Sequence, residues 1–596
     1  MAALFEPGRI GPVEVPNRIV MAPMTTRAAD GDGFVTAQCI AYYSARARGG
    51  VGLVTVEMAS PERCGRHRKH ELGIYDDRFL PGLSRLARAI RVEGAKASIQ
   101  LGHAGGHTRP DVCGEQPIAP SAIPHLVEEV TTETVIPAAM SKEHIEETTA
   151  SFVAAARRAR SAGFDCVEIH AAHGYLISQF HTPFENRRGD AYGGSLENRA
   201  RFGLELTRRV KAAVADVGVI YRLTVDDFFP AGLRPEEGLT IAEWAQRSGA
   251  DALHIAAGHY RSLPNTPGMI PPMAQPEAPF LRFARALKPR VSVPVIAVGR
   301  LGEPATAEAA LSEGACDFIA LARALLADAE WARKVKARVP VRRCLACNTC
   351  ISGMRGGGAL YCLVNAETGR EVAFAERRPP QGKRIAVVGA GPAGLTYASL
   401  VGAHNDVVVF EREAWPGGSL RDAGRAPRFQ GVAASRTSLA RYVAGLEAAC
   451  AHAGVRLRYG VDVAKHPEVL AGFEHVVVAS GAAFRLGLGG LVRALLRGGV
   501  ARWPGVRWLF ERPWLLDFLY YRARRPRGPR LARLAQAGTS VVVIGDAAAP
   551  GTSARAIESA FEAAWRAETV GDPGLEPAKA TAAPRATATA ETHEKG

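Results

Sequence analysis

The sequence predicts an α/β protein in two parts, an N-terminal (β/α)8 TIM barrel followed by a Rossmann-like domain. Three observations carry that reading. From residue 15 to about 330, short β-branched runs alternate with amphipathic helical stretches, the pattern of parallel strands joined by helices. At 383–394 an apolar run meets a glycine-rich turn and a helix start. Between the two stretches lie four closely spaced cysteines.

The barrel is read from strands at 51–57, 96–101, 166–170, 219–224, 252–256, 294–297 and 318–320, with helices such as 143–162 and 196–215 between them. That many strand–helix units favour closure into a barrel over residues 1–340. The 596 residues allow two or three domains, and a hydrophobic fraction of 47% is that of a globular protein. No apolar run reaches the length of a membrane span, and the first residues lack the basic start of a signal peptide. Six further cysteines are scattered through apolar patterns, as reduced thiols are, so a cytoplasmic location is expected.

The cysteines Cys344, Cys347, Cys350 and Cys362 follow the spacing C-x2-C-x2-C-x11-C. Three close thiolates can wrap one side of a cubane while the loop holding Gly356, Gly357 and Gly358 swings the fourth round. A zinc site or disulfides are the alternatives, but zinc more often takes two separated C-x2-C knuckles. A 4Fe-4S cluster at 341–372 is therefore expected, as a carrier of single electrons.

In a barrel, chemistry sits where strands end. Gln100 can bond the pyrimidine edge of a flavin, and Arg222 can stabilise charge developing on a reduced one. Gly299-Arg300 and Ala322-Arg323 can hold a phosphate. The segment from His170 through His173 to Tyr175 follows an apolar strand, which puts His173 and Tyr175 above the barrel mouth. A metal on the two histidines lacks a third ligand at a persuasive spacing.

The run Arg18-Ile-Val-Met-Ala-Pro-Met-Thr-Thr, the HAAHGYL and YGGSLENR segments and a later GRL resemble the old yellow enzyme family of FMN barrels. With the cysteines and the following domain, the chain resembles the 2,4-dienoyl-CoA reductase and trimethylamine dehydrogenase branch from residue 5 to about 565. The resemblance implies FMN contacts at Ala22, Pro23, Met24, Thr25, Met58, Gln100, Arg222, Gly299, Arg300, Ala322 and Arg323. It implies that His170 and His173 hold a substrate carbonyl while Tyr175 protonates the α-carbon, with hydride passing from flavin N5 to the β-carbon. His259 is a looser match to a further acid. Thr25 stands where the amine dehydrogenases attach FMN to a cysteine, so a non-covalent flavin is expected. The histidine pair sets the chain apart from the bacterial dienoyl-CoA reductases.

After a Pro/Arg-rich linker, residues 373–570 carry Gly389, Gly391 and Gly394, with Glu411 ending the next strand 20 residues after Gly391. Gly418, Gly481, Gly545 and Asp546 resemble the remaining FAD-domain motifs, with NAD in the same site as the alternative. Family members insert a second nucleotide domain here, yet only 63 residues separate Gly481 from Gly545. The NAD(P)H domain is thus expected to be reduced or lost, with 482–540 a shortened insert, and use of NAD(P)H is left open. The tail, 571–596, has nothing to bury and reads as disordered.

The net charge of +15 is uneven: eleven arginines between Arg493 and Arg533 face only Glu511 and Asp517. Residues 503–521 also hold three of the seven tryptophans. One basic patch excludes reading the whole chain as a nucleic-acid binder. The patch suits an acidic electron-transfer protein or a membrane surface at 503–530, or else a lid over the shortened domain. Together these readings predict an FMN, 4Fe-4S and FAD oxidoreductase reducing the C=C bond of an enone or enoyl-CoA thioester. Amine oxidation and a pure electron-transfer subunit are the alternatives, and a homo-oligomer is allowed.

Overall fold

A computed structural model describes residues 1–126, 134–262, 268–485 and 488–565. The expected disordered tail and part of the loop after residue 262 lie outside the described residues. The chain divides into two compact units with the boundary after Ala373.

In the first unit, eight parallel strands close into a barrel: β1 (Ile19–Met21), β2 (Leu53–Ser60), β3 (Lys96–Leu101), β4 (Cys166–Ala171), β5 (Gly218–Thr224), β6 (Ala252–Ala256), β7 (Val295–Val298) and β8 (Phe318–Leu321). Each pairs with its chain neighbours, and β1 pairs with both β8 and β2, which closes the ring. The expected strands are found within three residues of their bounds. β1 spans only three residues, too few for any periodicity to mark it. Three of the helices outside begin with side-chain caps: Thr36 accepts from the Cys39 N–H, Ser141 from His144 and Ser195 from Asn198.

Inward-facing positions change character along the strands, and that change positions the site. Near the strand starts they are apolar: Val20, Leu53, Cys166, Ile220, Ala252, Ile296 and Phe318 pack with Ile10, Val13 and Val15 of an N-terminal hairpin that plugs this end. Two and four residues on, the same face carries Ser98 and Gln100, Glu168 and His170, Arg222 and Thr224, and His254. Polar groups are buried where the fold places chemistry.

The second unit holds a five-stranded parallel sheet of β9 (Arg384–Val388), β10 (Asp406–Glu411), β11 (Arg456–Tyr459), β12 (His475–Val478) and β13 (Ser540–Val543). Its order, β11-β10-β9-β12-β13, is the Rossmann order 3-2-1-4-5. The insert between β12 and β13 is a small hairpin, Ala482–Phe484 with Arg524–Pro526, and short helices, with no second parallel sheet among the described residues.

Candidate active site

At the C-terminal mouth of the barrel, Gln100 donates to Glu168 (2.7 Å), the His254 ring lies 2.7 Å from its other oxygen, and Arg222 is 3.8 Å away. Burial alone would raise the Glu168 carboxyl, but His254, Arg222 and Gln100 outweigh it and hold it below the usual range. The network stays short of partners: Arg222 Nε, His170 Nδ1 and His254 Nε2 are buried without one. An unmet buried polar group costs roughly 1–3 kcal/mol, so these atoms fit a polar ligand edge such as a flavin's. Ala22 is buried just beyond β1, followed by the partly exposed Pro23, Met24 and Thr25. Met58 packs with Ala104 and Tyr175.

Gly299 and Arg300 have φ of 109° and 53°, a turn with positive φ at two successive residues just past β7. The Arg300 guanidinium donates to the carbonyls of Pro272 and Gln275. That of Arg323 donates to Pro271 and to Asn348. Both side chains thus bind neighbouring loop through part of their guanidinium, which has five N–H donors.

The rings of His170 and His173 lie 5.4 Å apart, and the Tyr175 ring is 4.8 Å from His170. The three expected catalytic residues therefore come together. Burial, with Arg222 adding to it, holds both imidazoles well below their ordinary value, so each is neutral and carries one N–H. Burial, with Tyr260 beside it, raises the Tyr175 phenol well above its usual range, so it is protonated.

Sequence reasoning missed three residues here. The Tyr175 hydroxyl lies 2.7 Å from His67 Nδ1, 3.0 Å from the Tyr260 hydroxyl and 3.5 Å from the Arg68 guanidinium. Arg68 also lies 2.8 Å from His67 Nδ1 and can only donate, so Nδ1 is an acceptor. For His67 and Arg68 the density of basic and histidine residues at 63–70, just past β2, was the signal available. His259 lies beside this group, bridged through its backbone to His173, and its ring pairs with buried Glu185 (3.2 Å), which Arg261 also holds.

Glu62, Cys64 and His103 place their donor atoms within 4.8 Å of one another. The Gly105 N–H donates to His103 Nδ1, which puts the ring proton on Nε2, the atom facing Glu62 at 3.1 Å. The nitrogen a metal would need is the protonated one, so these groups form a hydrogen-bonded triad.

The cysteine segment belongs to the first unit. Leu360 N–H donates to the Thr26 carbonyl (3.4 Å), and Arg355 lies over the Tyr260 ring at 5.8 Å, so the segment flanks the mouth. Ala346 and Asn348 take φ of 49° and 56°, two left-handed residues that curl the loop tightly. All ten cysteines are free thiols. Cys344, Cys347 and Cys350 lie near enough to Cys362 to raise its thiol further, beyond the larger effect of burial, so the four are gathered in one place.

In the second unit, Gly389, Gly391, Glu411, Gly418, Gly481 and Asp546 line one cavity of about 630 Å³. A Cβ on Gly394 would lie 2.0 Å from the Gly389 carbonyl oxygen, so helix and turn meet only through glycine. Glu411 accepts from the Ala390 N–H (2.8 Å) at the end of β10. The insert walls the same cavity: Arg524 donates to Asp546 (2.6 Å), and Phe510, Leu516, Leu519 and Arg527 line it.

The sequence profile of the NADH:flavin oxidoreductase / NADH oxidase family matches residues 3–341, and that of the NAD(P)-binding Rossmann-like domain matches 387–438. An NADH oxidase of Thermoanaerobacter brockii is 38% identical over 487 residues, 80% of this chain and 72% of that one. A cinnamate reductase of Clostridium sporogenes is 32% identical over 514 residues, 81% of this chain and 74% of that one. The structure of a 2-naphthoyl-CoA reductase shares the fold, with a TM-score of 0.83 at 23% identity over 95% of this chain and 99% of that one. With the barrel, its polar mouth and the Rossmann sheet, these likenesses show that the chain belongs to the NADH:flavin oxidoreductase / NADH oxidase family, in its old yellow enzyme and dienoyl-CoA reductase-like branch, and is a flavin oxidoreductase.

Proposed function

We propose that the barrel reduces the C=C bond of an α,β-unsaturated carbonyl compound, an enone, enoate or enoyl thioester. The carrying observation is a protonated phenol, Tyr175, set beside two neutral imidazoles in a buried polar mouth. FMN, when bound there through Gln100, Arg222 and the loop 22–25, supplies hydride to the β-carbon. His170 and His173 each donate one N–H to the substrate carbonyl, where negative charge gathers in the transition state. Tyr175 gives its proton to the α-carbon. Arg68 and Tyr260 then hold the phenolate oxygen, and His67 Nδ1 keeps the hydroxyl oriented between turnovers.

Cys344, Cys347, Cys350 and Cys362 hold a 4Fe-4S cluster in this reading, and the cavity of the second unit holds FAD through its glycines, Glu411 and Asp546. The cluster supplies single-electron transfer when bound. The gathering of the four thiols in one place supports the first assignment and the glycine approach at Gly394 the second.

Anaerobic titration of the photoreduced protein tests the reading. Reoxidation of the flavin by an enone or cinnamate supports it. Bleaching of the oxidised flavin by a secondary or tertiary amine, with no response to enones, replaces it with amine oxidation.

A further inference from the structure

The insert of the second unit has two apolar faces, and only one is used. Phe510, Leu516 and Leu519 point into the nucleotide cavity. On the other side Trp503, Trp508 and Trp514 are 62%, 58% and 63% exposed, and Phe518 and Tyr521 are exposed beside them. Trp514, Phe518 and Tyr521 recur on successive turns of the helical stretch formed by Pro513–Asp517 and Phe518–Arg522, so they make one outward stripe. Scattered exposed apolar side chains are ordinary, but five large aromatic ones within 19 residues are a patch that marks an interaction site.

The charge around this stripe is predominantly positive. Arg522, Arg525 and Arg530 are exposed on the same segment. Arg512 stacks over the Trp508 ring at 3.8 Å, and Arg507 is paired with Glu511. Asp517 is the one other acid between Arg493 and Arg533, against eleven arginines, a local balance of +9.

We propose that this insert is a membrane-docking face that lies in the headgroup region of an anionic bilayer. Tryptophan and tyrosine sit at the level of the headgroups, the ring in the acyl boundary and the N–H or O–H toward water. Arginine pairs with lipid phosphate through its planar fork. A protein partner would need a separate pocket for each of three protruding tryptophans, since interface anchors gain their energy by filling one. A bilayer accepts them without shaped pockets. No helix of the described residues is long and apolar enough to cross a membrane, so the segment rests on the surface.

The test uses full-length holoprotein and two vesicle preparations, pure phosphatidylcholine and phosphatidylcholine with roughly one-third phosphatidylglycerol. The protein is expected to float with the anionic vesicles at about 0.05 M salt, with blue-shifted tryptophan emission quenched by lipids brominated in the acyl chains. Trp503→Ser with Trp514→Ser should weaken vesicle binding at least tenfold, and Arg522→Ser with Arg525→Ser and Arg530→Ser should make the remainder insensitive to lipid charge. Flavin content and melting temperature show that each variant is folded. Failure to float with anionic vesicles, or binding that both variants leave unchanged, overturns the proposal. So does retention on an immobilised acidic ferredoxin by holoprotein that ignores vesicles, which would make the face a protein dock.

Discussion

The phenolic oxygen of Tyr175 lies 2.7 Å from Nδ1 of His67, and Arg68 lies 2.8 Å from that same nitrogen. The guanidinium fixes His67 as an acceptor, so the phenol donates toward it at rest. Burial, then the Arg68 charge, holds His67 well below its ordinary value, so it stays neutral and never competes for the substrate's charge. A short basic stretch after β2 thus orients the hydroxyl of the residue that follows β4, while burial and Tyr260 keep that hydroxyl protonated.

Arg68→Met should slow C=C reduction because the phenolate formed at Tyr175 loses its nearest cation. A loss of about 10–10³-fold in the oxidative half-reaction is expected, with flavin reduction within a few-fold of the parent. Stopped-flow measurement of the two halves separates them, and equal slowing of both would mean the variant has disturbed the flavin site as a whole.

Cys347→Ser should strip iron and sulfide from the protein yet leave FMN bound, since the barrel core closes through contacts of its own strands. Iron and sulfide analysis with electron paramagnetic resonance of reduced protein reads the first part, flavin absorbance the second. Stoichiometric zinc and no iron in anaerobically prepared parent protein would refute the cluster.

Gly394→Ala drives a methyl group to 2.0 Å from the Gly389 oxygen and should open the turn that approaches the nucleotide. Acid precipitation of the parent should release both FMN and FAD, since Thr25 has no thiol to link a flavin. The variant should release FMN alone. A nicotinamide nucleotide in place of FAD in the parent extract would reassign the cavity.

Buried His181 makes the fold acid-sensitive. Burial, with Arg199 nearby, pushes its imidazole down to about 3, below the ordinary 6.5 it regains on unfolding. The unfolded chain therefore binds the proton first, so this contribution is complete above about pH 6.5 and is lost as pH falls toward 3. At about pH 5 the loss is about 2 kcal/mol. His181→Gln should remove that share of the pH dependence in denaturant melts run at pH 7 and pH 5. An unchanged slope would mean the ring is protonated in the native state.

The barrel was legible because each strand is buried on both faces, and continuous apolar runs of this length between helices have few other folds. β1 escaped because three residues carry no period, and the outer bound of β2 because the reading stopped at the acid Glu57, although Met58, Ala59 and Ser60 beyond it are buried too. His170, His173 and Tyr175 were visible because they follow one strand within six residues. Arg68 and Tyr260 reach the same oxygen from loops 107 and 85 positions away, a convergence that only the closed barrel creates. The two faces of the insert were invisible for a related reason: Leu516 and Trp514 read alike as apolar, and only folding turns one into the cavity and the other to solvent.

The most direct measurement is the anaerobic oxidative half-reaction of Tyr175→Phe, with reduced enzyme mixed against an enone and flavin reoxidation followed in time. Tyr175 as proton donor predicts a loss of about 10²–10⁴-fold with flavin reduction nearly unchanged. Reoxidation within a few-fold of the parent rate would remove Tyr175 from the chemistry and, with it, the proposed C=C reduction mechanism.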